Sequence, residues 1–241
     1  MRARSSRGGS RIPELPLAVA PGRELRGPGD WARIFGRTAP LIVEVGFGKD
    51  PFLLDRAAAR PGEDHVGIER DPGRVATFVV VAVSRLLTNV RALPISAELA
   101  LGVCFADGAV QELHVYFPDP WPKARHAGNR LVQPWFAREA RRILAADGRL
   151  YVATDDAPYA AQMRDVFARA FVPADASAPG QSTKFERLWR ARGRTIHRME
   201  YVVRAATSAR DDALPSPVVP SKLGVRPPRA PVPLTPGRQD S

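Results

Sequence analysis

The residues of this chain best placed to do chemistry are three carboxylates and the turns that hold them. Glu44-Val-Gly-Phe-Gly48 puts an acid just ahead of two glycines, at the end of a short apolar run from Leu41 to Val45. Glu69 closes a second run, His65-Val-Gly-Ile-Glu69, and stands 23 residues after Gly46. Asp119 lies in Phe117-Pro-Asp-Pro-Trp-Pro-Lys-Ala-Arg-His126, which follows the apolar run Leu113 to Phe117 and holds two aromatics, three prolines and several cations. Prolines fix φ on both sides of Asp119, so this exit is a held turn. A rigid acidic-then-basic turn at a strand's C-terminal end is where open α/β sheets place their ligands.

Gly46 and Gly48 permit a tight turn and close approach of a ligand to the backbone. A carboxylate placed as Glu69 is can accept both hydroxyls of an adenosine ribose. The alternatives are a dinucleotide turn and an unrelated helix N-terminus. Against a dinucleotide, Lys49-Asp50-Pro51 occupies the stretch where a third glycine belongs. An acid ahead of the turn also suits a cationic ligand better than a pyrophosphate. S-adenosylmethionine carries a sulfonium and an ammonium, and Glu44 favours it.

Alternating strand-like and helix-like segments must position these groups. Strands are expected at Leu41–Val45, His65–Glu69, Val90–Ile95, Glu112–Phe117, Gly148–Ala153 and Thr195–Arg204. Helices are expected over about 52–60, 73–87, 130–145 and 158–171, and around Phe185. This order predicts an α/β fold, a Rossmann-like three-layer sandwich with a mostly parallel sheet of about seven strands covered by helices on both faces. Thr183 reads as a helix N-cap with Glu186 as its capping-box partner. Phe185 reads as a core residue rather than a stacking platform, and Tyr159 as either core or site.

A chain of 241 residues with 44% hydrophobic content can bury a full core. Its single cysteine, Cys104 in an apolar stretch, excludes a disulfide framework and a multi-cysteine metal site, and no metal is expected. The longest strongly apolar run, Ala76 to Val83, is too short to span a bilayer, so the cytoplasm is the expected compartment. The formal net charge is +11, and residues 31–206 hold 25 basic against 19 acidic side chains. Such an excess favours a polyanionic partner. Residues 1–25 are Arg/Gly/Ser/Pro-rich and residues 207–241 hold eight prolines, so both ends are expected to be disordered around one domain at 26–206.

Read together, these motifs resemble the bacterial tRNA (guanine-N(7)-)-methyltransferase family. The matching segments are Asp30-Trp-Ala-Arg-Ile-Phe-Gly36, Ala39-Pro40, Glu44-Val-Gly-Phe-Gly48, Gly67-Ile-Glu69, the Phe117 to His126 stretch, Ala153-Thr-Asp155 with Tyr159, and Thr183-Lys-Phe-Glu186. They occur in family order over about residues 30–203. Two of the four lysines, Lys123 and Lys184, fall inside the two most unusual motifs.

The resemblance implies a methyltransferase fold, S-adenosylmethionine as cofactor, and tRNA as partner. It implies methyl transfer to N(7) of a guanine, in the variable loop; a monomer or a homodimer is expected, and the sequence does not distinguish them. Glu44, Gly46, Gly48, Glu69 and Ser96 would line the cofactor. Asp119 would lie beside the sulfonium methyl and the target base as the catalytic carboxylate. Lys123 and Asp155 would contact the nucleotide, His126 would lie on the substrate side, and Lys123, Arg125 and Arg130 can hold adjacent phosphates. Thr183, Lys184, Phe185 and Glu186 would close the substrate side. The chain departs from the family at Lys49-Asp50-Pro51, at Ser96, where an acid or amide is usual, and at Gly128-Asn129, inside what is usually a run of three cations. Two alternatives therefore stand beside this reading: an RNA-binding relative with weak or no catalysis, and a methyltransferase of the same fold with another substrate.

Overall fold

The structure, a computed structural model, describes residues 17–19, 25, 30–174 and 183–204. Within them the chain runs α1 (Trp31–Phe35), β1 (Leu41–Val45), α2 (Phe52–Ala59), β2 (Asp64–Ile68), α3 (Pro72–Ser84), β3 (Val90–Leu93), α4 (Ala97–Val103) and β4 (Val110–Tyr116). It continues through a 3-10 turn at Ala124–Asn129 to α5 (Pro134–Ile143), β5 (Leu144–Thr154), α6 (Ala157–Phe167), β6 (Phe171–Pro173), α7 (Lys184–Ala191) and β7 (His197–Val203).

Seven strands form one sheet in the order β3-β2-β1-β4-β5-β7-β6. The first five pair in parallel, and β7 inserts antiparallel between β5 and β6. The expected fold is the observed one. Strand alternation explains why both faces are covered. Val43, Val45, Leu113, Val115, Leu150 and Val152 point into a large core with α1, α4, α5 and α6. The opposite face meets a second core, in which Phe52 and Leu53 of α2 and Val75, Phe78 and Val79 of α3 surround Phe47.

Several boundaries move. The helix expected over 130–145 starts at Pro134, and β5 takes over from it directly at Leu144. The helix expected to reach Phe171 stops at Phe167, because Phe171 begins β6. That strand, α1 and α4 are three, five and seven residues long, too short to show a period. α1 is held by its tryptophan: Trp31 Nε1 donates to the Cys104 carbonyl at 2.9 Å, and its ring stacks on Phe105 at 5.5 Å. Cys104 is a buried core thiol whose pKa burial pushes up to about 11.

Part of the N-terminal stretch expected to be disordered is built into the sheet edge. Ala92 N–H donates to the Leu17 carbonyl and Val19 N–H to the Ala92 carbonyl, both at 2.9 Å, while Val19 and Leu25 are buried in the core. The rest of residues 1–25, and all of 207–241, lie outside the described residues. Among the described residues no helix is long and apolar enough to cross a membrane.

Candidate active site

The chain leaves β1 toward β2 and β3 on one side and returns to β4 on the other, so the sheet reverses its winding between β1 and β4. A crevice opens there, above the strand C-termini. Glu44, the penultimate residue of β1, enters it. Its side chain is buried, and Oε2 has no hydrogen-bond partner within the described protein. Burial first, and the Asp50 carboxylate second, push its pKa well above the ordinary carboxylate range. A carboxyl in this state lacks a cation or a donor.

The turn after it is shaped by two glycines with positive φ, Gly46 at 75° and Gly48 at 56°. Gly46 N–H donates to the Ile68 carbonyl at 2.7 Å. Phe47 between them drops into the second core against Phe78, with ring centroids 4.3 Å apart. Gly67 on β2 makes room for it, since a Cβ there would lie 2.5 Å from Phe47 Cδ1. Glu69 just beyond β2 is also buried. Its Oε2 accepts from Gly48 N–H at 3.2 Å and its Oε1 from Asp71 N–H at 3.0 Å, so the acid expected to hold a ribose also ties the two loops together. Ser96 follows β3 and caps α4, its hydroxyl accepting from Leu99 N–H at 3.4 Å.

Asp119 is exposed on a constrained loop. Phe117 and Trp121 on either side of the Pro-Asp-Pro unit adopt positive φ, 50° and 41°, a conformation that costs non-glycine residues energy. Two contacts hold the loop. Phe117 N–H donates to the Ala153 carbonyl at 2.8 Å, and Arg130 Nε to the Pro120 carbonyl at 2.7 Å. Arg130 also bonds Gln162 and lies 5.0 Å over the Tyr159 ring. Arg130, expected as a phosphate contact, is half-buried and uses Nε and Nη1 to tie the loop to α6. Tyr159 is core, with its hydroxyl accepting from Val132 N–H at 3.0 Å. Lys123 and Arg125 are exposed, and His126 packs edge-on to Trp121 at 5.8 Å.

The last group arrives with α7. Thr183 caps it by accepting from Glu186 N–H at 3.0 Å. The reciprocal half of the expected capping box is not formed. Glu186 is buried and turned to Arg198, which donates at 2.8 Å, and to Arg190 at 2.9 Å. Burial alone would raise its pKa, but those two guanidinium groups hold it below the ordinary value. Glu186 thus anchors α7 to β7. Phe185, expected in the core, is exposed instead, 6.5 Å from Phe117. Asp155 pairs with Arg194, whose guanidinium lies 4.5 Å over Trp189.

Two groups escaped the sequence reading. Arg198 is one, since nothing in its neighbourhood pairs it with Glu186. Asp50 is the other: its Oδ1 accepts from Phe52 N–H and its Oδ2 from Phe185 N–H, each at 3.0 Å. An Asp-Pro pair before an apolar run is a helix-start signal, so the first bond was discoverable and the second was not. Beside the crevice lies a groove of about 670 Å³ whose walls carry Lys49, Arg74, Arg85 and Lys184.

Comparison with known proteins gives consistent findings. The family model described as "Putative methyltransferase" matches residues 38–199. The tRNA (guanine-N(7)-)-methyltransferase of Pseudomonas syringae pv. tomato is 39% identical over 171 residues, covering 66% of this chain and 69% of that protein. The one from Chromohalobacter salexigens is 40% identical over 171 residues, covering 70% and 68%. The one from Pseudomonas fluorescens is 39% identical over 184 residues, covering 72% and 73%. Among solved structures, the 16S rRNA methyltransferase KamB superposes with a TM-score of 0.55 at 16% identity, over 73% of this chain and 93% of that one. The 16S rRNA (adenine(1408)-N(1))-methyltransferase from Catenulisporales acidiphilia gives 0.52 at 19%, over 74% and 94%. At such identities these two establish likeness of fold.

Proposed function

This chain belongs to the tRNA (guanine-N(7)-)-methyltransferase family, and we propose that it transfers a methyl group from S-adenosylmethionine to N(7) of a guanine in the variable loop of tRNA. The observation that carries the reading is the buried, unpartnered Glu44 carboxyl beside the glycine turn, at the switch point whose other wall is the Pro-Asp-Pro exit. An orphan acid fits the ammonium end of the cofactor. Glu69 accepts two backbone N–H groups and, at 3.5 Å, Arg74 Nη1, which leaves it acceptor capacity for the ribose hydroxyls. When bound, S-adenosylmethionine supplies an electrophilic methyl on a sulfonium.

N(7) of guanine is an in-plane lone pair and an acceptor on the major-groove edge. It needs no general base, so the protein's contribution is alignment, which can lower a barrier by several kcal/mol, up to roughly 10. Asp119 accepts the N–H donors on guanine's other edge and orients the base, which leaves its stack to reach the crevice. Lys123 and Arg125 hold neighbouring phosphates. Lys184 and Phe185 at the first turn of α7 close the substrate side. With tRNA as its partner the protein acts in the cytoplasm. Asp50, in the stretch where the family usually has a further glycine, is held in place because each of its carboxylate oxygens accepts one backbone N–H. The test is transfer of a labelled methyl group from S-adenosylmethionine to unmodified tRNA. Incorporation that Asp119→Asn lowers at least tenfold is expected, and a protein that binds the cofactor yet labels no RNA would overturn the proposal.

A further inference from the structure

We infer that Asp50 is a positioning residue that couples occupancy of the cofactor turn to placement of the substrate-side helix, so that cofactor and tRNA bind cooperatively. The inference rests on the function proposed above and goes beyond it. Asp50 belongs to the loop that continues from Gly48, and it is buried. One carboxylate oxygen holds the first turn of α2 through Phe52 N–H. The other holds the first turn of α7 through Phe185 N–H, 135 residues away in the chain. The same carboxylate faces Glu44 closely enough to raise its pKa. A single side chain thus touches, within one hydrogen bond each, the backbone leading from the cofactor turn and the helix end carrying Lys184 and Phe185. The far side of α7 is fixed separately, by the Glu186–Arg198 pair on β7. Asp50 is therefore the link between α7 and the β1–α2 turn in particular.

The physical consequence follows from linkage. A ligand that fixes the Gly46–Gly48 turn also fixes Asp50 Oδ2, and with it the α7 N–H group that Oδ2 accepts. The second ligand then meets a helix end whose ordering cost has already been met. The coupling is reciprocal for the two binding equilibria.

The experiment measures the tRNA Kd with and without saturating S-adenosylhomocysteine, for the wild type and two variants. The wild type should bind tRNA at least about fivefold more tightly in the presence of the cofactor product, within the usual range of such couplings. Asp50→Ala should reduce that ratio below about twofold. Phe185→Pro removes the donated N–H at a helix position that tolerates proline, leaves Asp50 and the α2 cap in place, and should have the same effect, whereas Phe185→Ala should keep the ratio. The Phe185 pair decides the matter if Asp50→Ala does not fold. A wild type that binds both ligands without coupling would overturn the inference, as would an unchanged ratio in Phe185→Pro. In either case methylation of tRNA could persist. A wild type that binds neither ligand would instead remove the functional reading and this inference together.

Discussion

At the scale of single residues, Glu44 trades stability for binding. Once the pH exceeds about 4.3 the unfolded chain has released this proton, while the ligand-free fold retains it. Stability therefore falls as pH rises from there to Glu44's own raised pKa. Glu44→Gln should raise the melting temperature at pH 8, by about 2–4 °C for each kcal/mol of that cost removed, and should abolish measurable binding of S-adenosylhomocysteine. The same proton must leave when a cationic ligand arrives, so affinity should increase with pH. Calorimetric titrations in buffers of different ionisation enthalpy would show the release. Affinity that is flat across pH 5–8 would contradict it. Asp119 behaves in the opposite way. It is exposed, so Asp119→Asn should leave the melting temperature unchanged while lowering methyl transfer at least tenfold. Both acids were legible in the sequence, because strand ends and prolines announce them. Asp50 was legible only as a missing glycine, since its second partner is distant in the chain.

At the scale of elements, the loop from β4 to α5 depends on Arg130. Its Nε bond to Pro120 and its contact with Tyr159 form a fixed fork that lysine does not reproduce. Arg130→Lys should therefore lower kcat much as Arg130→Ala does, and neither should change the salt dependence of tRNA binding. Arg125→Ala, which removes an exposed cation, should reduce that log–log slope by about 0.7–0.9. Equal slopes for the two arginine variants would return Arg130 to the phosphate-binding group. The glycine turn rests in a similar way on β2: Gly67→Ala drives a methyl into Phe47 and should cost about 1–3 kcal/mol, read as a lower melting temperature. The sequence displayed the sheet well, because apolar runs in a buried parallel sheet are continuous. It concealed β6 and α4 by their brevity. It also misdirected Glu186, because the spacing of a capping box is the same whether or not a buried Arg198 claims the carboxylate.

At the scale of the molecule, the net charge of +11 favours a polyanionic partner met over more surface than one base requires. The reaction itself concerns one atom of one base. Methylation at N(7) places a positive charge on guanine, and after borohydride reduction the glycosidic link becomes labile, so aniline cuts the RNA at that nucleotide. Unmodified tRNA incubated with the full-length protein and S-adenosylmethionine should yield one new cleavage site, at a guanine of the variable loop, that is absent without cofactor and greatly reduced with Asp119→Asn. A protein that binds S-adenosylhomocysteine but produces no cut, or that leaves its methyl group on another base, would contradict the account.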